Sequence, residues 1–136
     1  MLLRLSGFHI TQLLKGFFGT AVSILLLLVL SVHPVSAKTH VVKMGTDRGI
    51  LAFEPSTLTI EIGDTVKWIN NRAFPHNVVF DRRAPDAVRH HSQKRLLASP
   101  SIEITEIFDD VPPGKYTYHC LPHRGGGMSA TLIVRE

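Results

Sequence analysis

The stretch Cys120-Leu121-Pro122-His123-Arg124-Gly125-Gly126-Gly127-Met128 concentrates side chains that can hold a metal. A thiolate, an imidazole and a thioether lie within nine residues, at the end of a run that reads as a β-strand. Soft sulfur donors combined with imidazole suit copper, and two His with one Cys and a weak axial Met make a blue-copper site. Pro122 and the three glycines allow a short loop to fold back so that the three side chains point at one place. The second imidazole must come from elsewhere. His76, in Phe74-Pro75-His76-Asn77-Val78, sits between a turn and a strand, where a rigid backbone can present it. Asn77 beside it is placed to hydrogen-bond across to the ligand loop, the kind of outer support metal ligands need.

The other histidines compete poorly. His9 and His33 fall in a segment expected to be removed, and His40, His90 and His91 are expected to face solvent. His119 precedes Cys120 in a strand, so the two point to opposite faces, with Tyr116 and Tyr118 on the cysteine's side. Zinc takes Cys and His readily but has little use for a thioether, and its structural sites usually carry two or more Cys. A cysteine hydrolase would need Cys120 free, with a base and an orienting group, and the sequence offers no oxyanion or substrate motif beside it.

The elements that position these residues read as strands. Residues 39–44, 57–62, 65–70, 77–80, 101–108, 115–120 and 131–134 are short β-rich runs, several with period-two alternation, separated by turn signals such as Gly63-Asp64 and Pro112-Pro113-Gly114. Such a series indicates an all-β sandwich or barrel. The poor fit is 81–99, which carries Arg82, Arg83, Arg89, Lys94 and Arg95. It reads as a long exposed connection such as a Greek-key crossover, with one helical turn opening at Pro85-Asp86.

Residues 1–37 hold two basic and no acidic side chains, an apolar run from about Phe17 to Val32, and the small-residue ending Val35-Ser36-Ala37. This is the pattern of a secretory signal peptide cleaved after Ala37, against the alternative of a retained anchor. Residues 38–136 then form one domain, with 13 Lys and Arg against 11 Asp and Glu. That near balance argues against a nucleic-acid binder. The single cysteine cannot make an internal disulfide in an exported chain, which leaves a metal thiolate as its sharpest use.

Across almost all of residues 38–136 the chain resembles the plastocyanin family, type I blue copper proteins of the cupredoxin superfamily, and its cyanobacterial members more closely than the plant ones. The likeness rests on Gly49-Ile50-Leu51-Ala52-Phe53-Glu54-Pro55, Gly63-Asp64-Thr65-Val66-Lys67-Trp68, Asn70-Asn71 and Pro75-His76-Asn77-Val78-Val79-Phe80-Asp81. It continues through Pro113-Gly114, Tyr116-Thr117-Tyr118 and the stretch from Cys120 to Gly125 and Met128. Pseudoazurins share the Cys-x2-His-x4-Met spacing, but the N-terminal half of the domain looks like plastocyanin. The resemblance implies an eight-stranded Greek-key β-sandwich with copper at one end, bound by His76, Cys120, His123 and Met128. It implies a monomeric electron carrier, not an enzyme, between cytochrome f of the b6f complex and photosystem I in the thylakoid lumen, touching membranes only by docking to those complexes. Leu51, Pro75 and the loop around His123 would belong to the apolar docking patch, and Arg124 matches an arginine that helps cyanobacterial members meet acidic partners. A copper-storage module, or a donor to another periplasmic or lumenal partner, is the competing reading. Three features depart from the family: His119 stands where Tyr is usual, Ser129-Ala130 replaces Val-Gly, and the 81–99 connection is more basic.

Overall fold

The alternation along the chain becomes strands with one face in the core, as in Thr65–Asn70, where every second residue is buried. The computed structural model describes residues 36–136, so all but the last two residues of the expected signal peptide lie outside the described residues. The elements are β1 (Thr39–Met44), β2 (Phe53–Glu54), β3 (Thr57–Glu61), β4 (Thr65–Asn70), β5 (His76–Phe80), α1 (Asp86–Arg89), β6 (Gln93–Leu97), β7 (Glu103–Ile107), β8 (Gly114–His119) and β9 (Ser129–Arg135). They build a four-stranded sheet, in the order β2-β1-β4-β7, and a five-stranded sheet, in the order β3-β9-β8-β5-β6. The pairs β1–β4 and β3–β9 are parallel and the others antiparallel.

Both sheets contribute to one core. Val42, Met44, Val66 and Trp68 from the first sheet join Ile60, Val78, Phe80, Tyr118 and Leu132 from the second. Tyr118 is the hinge of this packing, with its ring centroid 4.8 Å from Phe53, 5.4 Å from Phe80 and 5.8 Å from Trp68. The pairs with Phe53 and Trp68 are edge-to-face, and such pairs add about 0.5–1.5 kcal/mol each beyond burial. Tyr118 lies two residues before Cys120, so the core that fixes this strand also fixes the cysteine. At the β3–β4 turn, buried Asp64 accepts the N–H groups of Lys38 (2.7 Å) and Glu61 (3.0 Å) and pairs with His40 Nε2 (2.7 Å). Burial alone would raise its carboxyl, but those three partners outweigh it and hold the group below its usual range.

The structure departs from the sequence expectations at four places. Nine strands are described where eight were expected, the extra count including the two-residue β2. The 81–99 connection contains α1, near the expected helical turn, and also β6, which pairs with β5 across a bulge. That strand was illegible because Lys94, Arg95 and Leu96 all face solvent, as charged side chains on an edge strand do. His91, expected at the surface, is buried, because it lies three residues after buried Val88 at the end of the helical turn and therefore on the same face. His40 is only half exposed, held against Asp64.

Candidate metal centre

Cys120 directly follows β8, and a loop of seven residues separates it from Met128, just before β9. The Cys120 N–H donates to the Met128 carbonyl at 3.1 Å, closing the loop at its base. Inside it the N–H groups of Gly126 and Met128 both donate to the His123 carbonyl, at 3.0 and 3.2 Å, which winds Arg124–Gly126 into one turn of 3-10 helix. That turn folds His123 and Met128 back toward the cysteine. Of the three glycines only Gly127 requires its freedom, ending the turn at φ 86°; Gly125 and Gly126 have open space where a Cβ would stand.

His76 opens β5, which runs beside β8, with Val79 opposite His119 and Phe80 opposite Tyr118. This pairing carries His76 to the cysteine across 44 residues of sequence. The His76 Nε2 lies 2.7 Å from the Arg72 carbonyl. A carbonyl only accepts, so Nε2 carries the proton and Nδ1 of the neutral ring is a lone-pair donor. Asn77, fully buried, ties the two halves together: its Oδ1 accepts the Leu121 N–H at 2.9 Å and its Nδ2 donates to the Lys94 carbonyl at 2.8 Å.

The resulting donor set is tight. Cys120 Sγ is 3.6 Å from His76 Nδ1 and 3.4 Å from His123 Nδ1, and the two nitrogens are 3.2 Å apart. A point equidistant from atoms so spaced lies about 2.0 Å from each, close to metal–imidazole and metal–thiolate bond lengths. Met128 is fully buried beside this group, which is held by backbone bonds on both sides. Burial pushes the Cys120 thiol up, with the backbone N–H groups of Asn77 and His123 opposing that rise. A thiol so placed is a poor free nucleophile and ionises when a cation sits beside it. Burial likewise holds His76 below the usual histidine range; the Arg72 carbonyl opposes this and the neighbouring His123 adds to it. Three electron-rich atoms converging in a buried pocket fit a soft or borderline metal, and a thioether beside them favours copper.

His76, Cys120 and Met128 are buried, whereas His123 is half exposed and is the member that meets solvent. Leu51 and Pro75 are also half exposed. Phe74, two residues before His76, and Leu121, next to Cys120, are exposed large apolar side chains; Phe74 was missed in the sequence, since nothing in a pattern shows a large apolar group turned outward. Arg124 projects into solvent with its Nη2 3.7 Å from Asp81 Oδ1. The same carboxylate oxygen is 3.1 Å from His119 Nδ1, so His119 is buried on the face away from Cys120. Arg82, Arg83, Arg89, Lys94 and Arg124 line an open cavity of about 790 Å³ beside the loop, with His119 and Leu121 in its wall.

Comparison with known proteins agrees with this chemistry. Residues 40–135 match the family described as copper binding proteins, plastocyanin/azurin family. The chain is 50% identical over 105 residues to a plastocyanin of Synechococcus sp. (strain JA-2-3B'a(2-13)), covering 75% of this chain and 77% of that protein. It is 46% identical over 128 residues to a plastocyanin of Nostoc punctiforme, covering 87% and 92%. Among solved structures it is similar to oxidised plastocyanin from Dryopteris crassirhizoma, with a TM-score of 0.59 and 29% identity over 71% of this chain and all of the other.

Proposed function

The chain belongs to the plastocyanin/azurin family of copper-binding proteins, and from that premise we propose that it shuttles single electrons between cytochrome f of the b6f complex and photosystem I. Its cofactor is copper and its chemistry electron transfer. When bound, copper would supply a Cu+/Cu2+ couple able to take up and give up one electron.

In this reading His76, Cys120, His123 and Met128 are the ligands. The chain's own part is to hold them still: Arg72 orients His76, Asn77 locks the loop to β5 and β6, and the core around Tyr118 anchors Cys120. A site that moves little between charge states wastes little energy on rearrangement. The observation that carries the reading is the half-exposed His123, the member of an otherwise buried donor set that meets solvent, with exposed Leu121 and Pro122 just before it in the chain as an apolar rim. A small dry rim lets a partner approach closely and leave quickly, as brief encounters require. The basic side chains beside it would steer acidic partners, an effect that falls with salt.

We further propose that cleavage follows Ala37 and delivers residues 38–136 to the thylakoid lumen or a periplasm. The Lys38 nitrogen lies 2.7 Å from Asp64 Oδ1, so such cleavage would set a new ammonium against a buried carboxylate. The experiment for the partners is stopped-flow oxidation of reduced cytochrome f and flash-induced re-reduction of photosystem I by the copper-loaded protein. Fast, salt-sensitive transfer at both, slowed by Leu51→Asp and by Arg124→Glu, supports the assignment. Slow transfer insensitive to both substitutions refutes it and favours another partner.

A further inference from the structure

His91 is only 4% exposed and lies flat on Phe108, with ring centroids 4.3 Å apart and planes 30° from parallel. Its Nδ1 stands 3.1 Å from Glu106 Oε2. Facing an ionised carboxylate, Nδ1 carries the proton of the neutral ring, which leaves Nε2 as a lone-pair donor. That Nε2 is buried and has no hydrogen-bond partner. What it faces is another electron-rich atom, Asp110 Oδ1, at 3.5 Å. The other oxygen of Asp110 is 3.8 Å from His90 Nε2, and the His90 ring lies 4.0 Å from that of His91. One donor atom from each of His90, His91 and Asp110 falls within 4.8 Å of the others. A buried unprotonated nitrogen turned toward a carboxylate is an arrangement that calls for a cation between them.

We propose that His90, His91 and Asp110 form a second metal site, which takes a borderline divalent transition ion of the Zn2+ kind. Two imidazoles and one carboxylate, with no sulfur, suit such an ion and not Cu+, which seeks thiolate and thioether, nor Ca2+ or Mg2+, which seek oxygen. Tetrahedral bonds of about 2.0–2.1 Å separate neighbouring donors by about 3.3 Å. The observed 3.5 and 3.8 Å close to that spacing with small rotations of His90 and Asp110, whose side chains are 53% and 55% exposed and free to turn. His91 need not move. Glu106 behind its Nδ1 completes a carboxylate–histidine–metal relay, the arrangement that fixes a ligating ring and strengthens it as a donor. Stacking on Phe108 holds the ring plane.

The site joins the connection between α1 and β6 to the connection between β7 and β8. Phe108 in turn pairs its backbone with Gly63 and Asp64, at the β3–β4 turn and away from the Cys120–Met128 loop. An ion there would staple the basic 81–99 connection to the body of the sandwich and raise the unfolding temperature with its concentration.

The test is calorimetric titration of Zn2+ into the copper-loaded protein, with the visible band recorded throughout so that zinc entering the copper centre would be seen. One equivalent of zinc bound with the band unchanged, and affinity weakened at least about tenfold in both His90→Gln and Asp110→Asn, is the expected result. Both substitutions lie at exposed side chains, so their effect does not depend on His91→Gln folding. No retained zinc, or zinc retained equally well by either variant, overturns the proposal and leaves the cluster as an ion pair with the proton on His91.

Discussion

Replacing Asn77 with alanine removes one side chain that holds three segments together. Its Oδ1 accepts the Leu121 N–H at 2.9 Å and its Nδ2 donates to the Lys94 carbonyl at 2.8 Å, in a position with no solvent exposure. Truncation breaks both bonds and leaves a backbone donor and a backbone acceptor without partners. Each lost bond costs about 1 kcal/mol net and more where water cannot replace it, so the total is about 2–4 kcal/mol. For a domain of this size that lowers the unfolding midpoint by about 10 °C or more. The assay is urea denaturation of the metal-free protein, where the midpoint should fall at unchanged slope. Amide exchange at Leu121 should accelerate at the same time, because its only acceptor is gone. A stability loss under about 0.5 kcal/mol, or a Leu121 amide as protected as before, would refute the view that Asn77 clamps the loop.

Three further outcomes follow from the same geometry. Gly45→Ala drives a Cβ into the Arg72 carbonyl oxygen, at a residue with φ 82°, and that oxygen is the one orienting His76. The variant should lose about 1–3 kcal/mol and shift the visible band of the copper-loaded protein, although residue 45 touches no ligand; an unchanged band would sever the proposed link. In the metal-free protein, His76 is held low by burial and Cys120 is held high by burial. The unfolded chain therefore takes up a proton first below about pH 6.5 and releases one first above about pH 8.5, so stability should be flat between these values and fall on both sides. Cys120→Ser should remove the decline between about pH 8.5 and 10, leaving the later one in which buried Tyr118, pushed up to about 12, takes part, and denaturation midpoints across pH will show it. Met128→Leu should keep the intense visible band while shifting the reduction potential, measured by redox titration, since in the proposed ligand set a thioether would be the weakest donor; loss of the band would give Met128 a stronger role than that.

The regular strands were legible in the sequence where one face meets the core and the other meets solvent, as in β4 and β9, because burial then writes itself as period two. The loop residues Cys120, His123 and Met128 were legible for a related reason: nine residues in a tight turn leave few other places for their side chains to go. His76 could be picked out by its place between a turn and a strand, but that it reaches the cysteine requires β5 to lie beside β8, which no local pattern states. β6 escaped because Lys94, Arg95 and Leu96 all face solvent, so burial writes no period-two pattern into it. His91 escaped because a histidine next to another histidine in a charged run looks solvated, whereas the helical turn before it rotates one of the pair inward onto Phe108. Asp110, in a turn, gave no sign of standing opposite it.

The most direct test of the electron-carrier account is the visible spectrum of residues 38–136 loaded with copper, taken through reduction and reoxidation with a mild couple, beside the Cys120→Ser variant. The account predicts an intense blue band that bleaches with one electron and returns in full, and that is absent from the variant. A colourless protein, a colour that does not return, or a band that survives Cys120→Ser would contradict it.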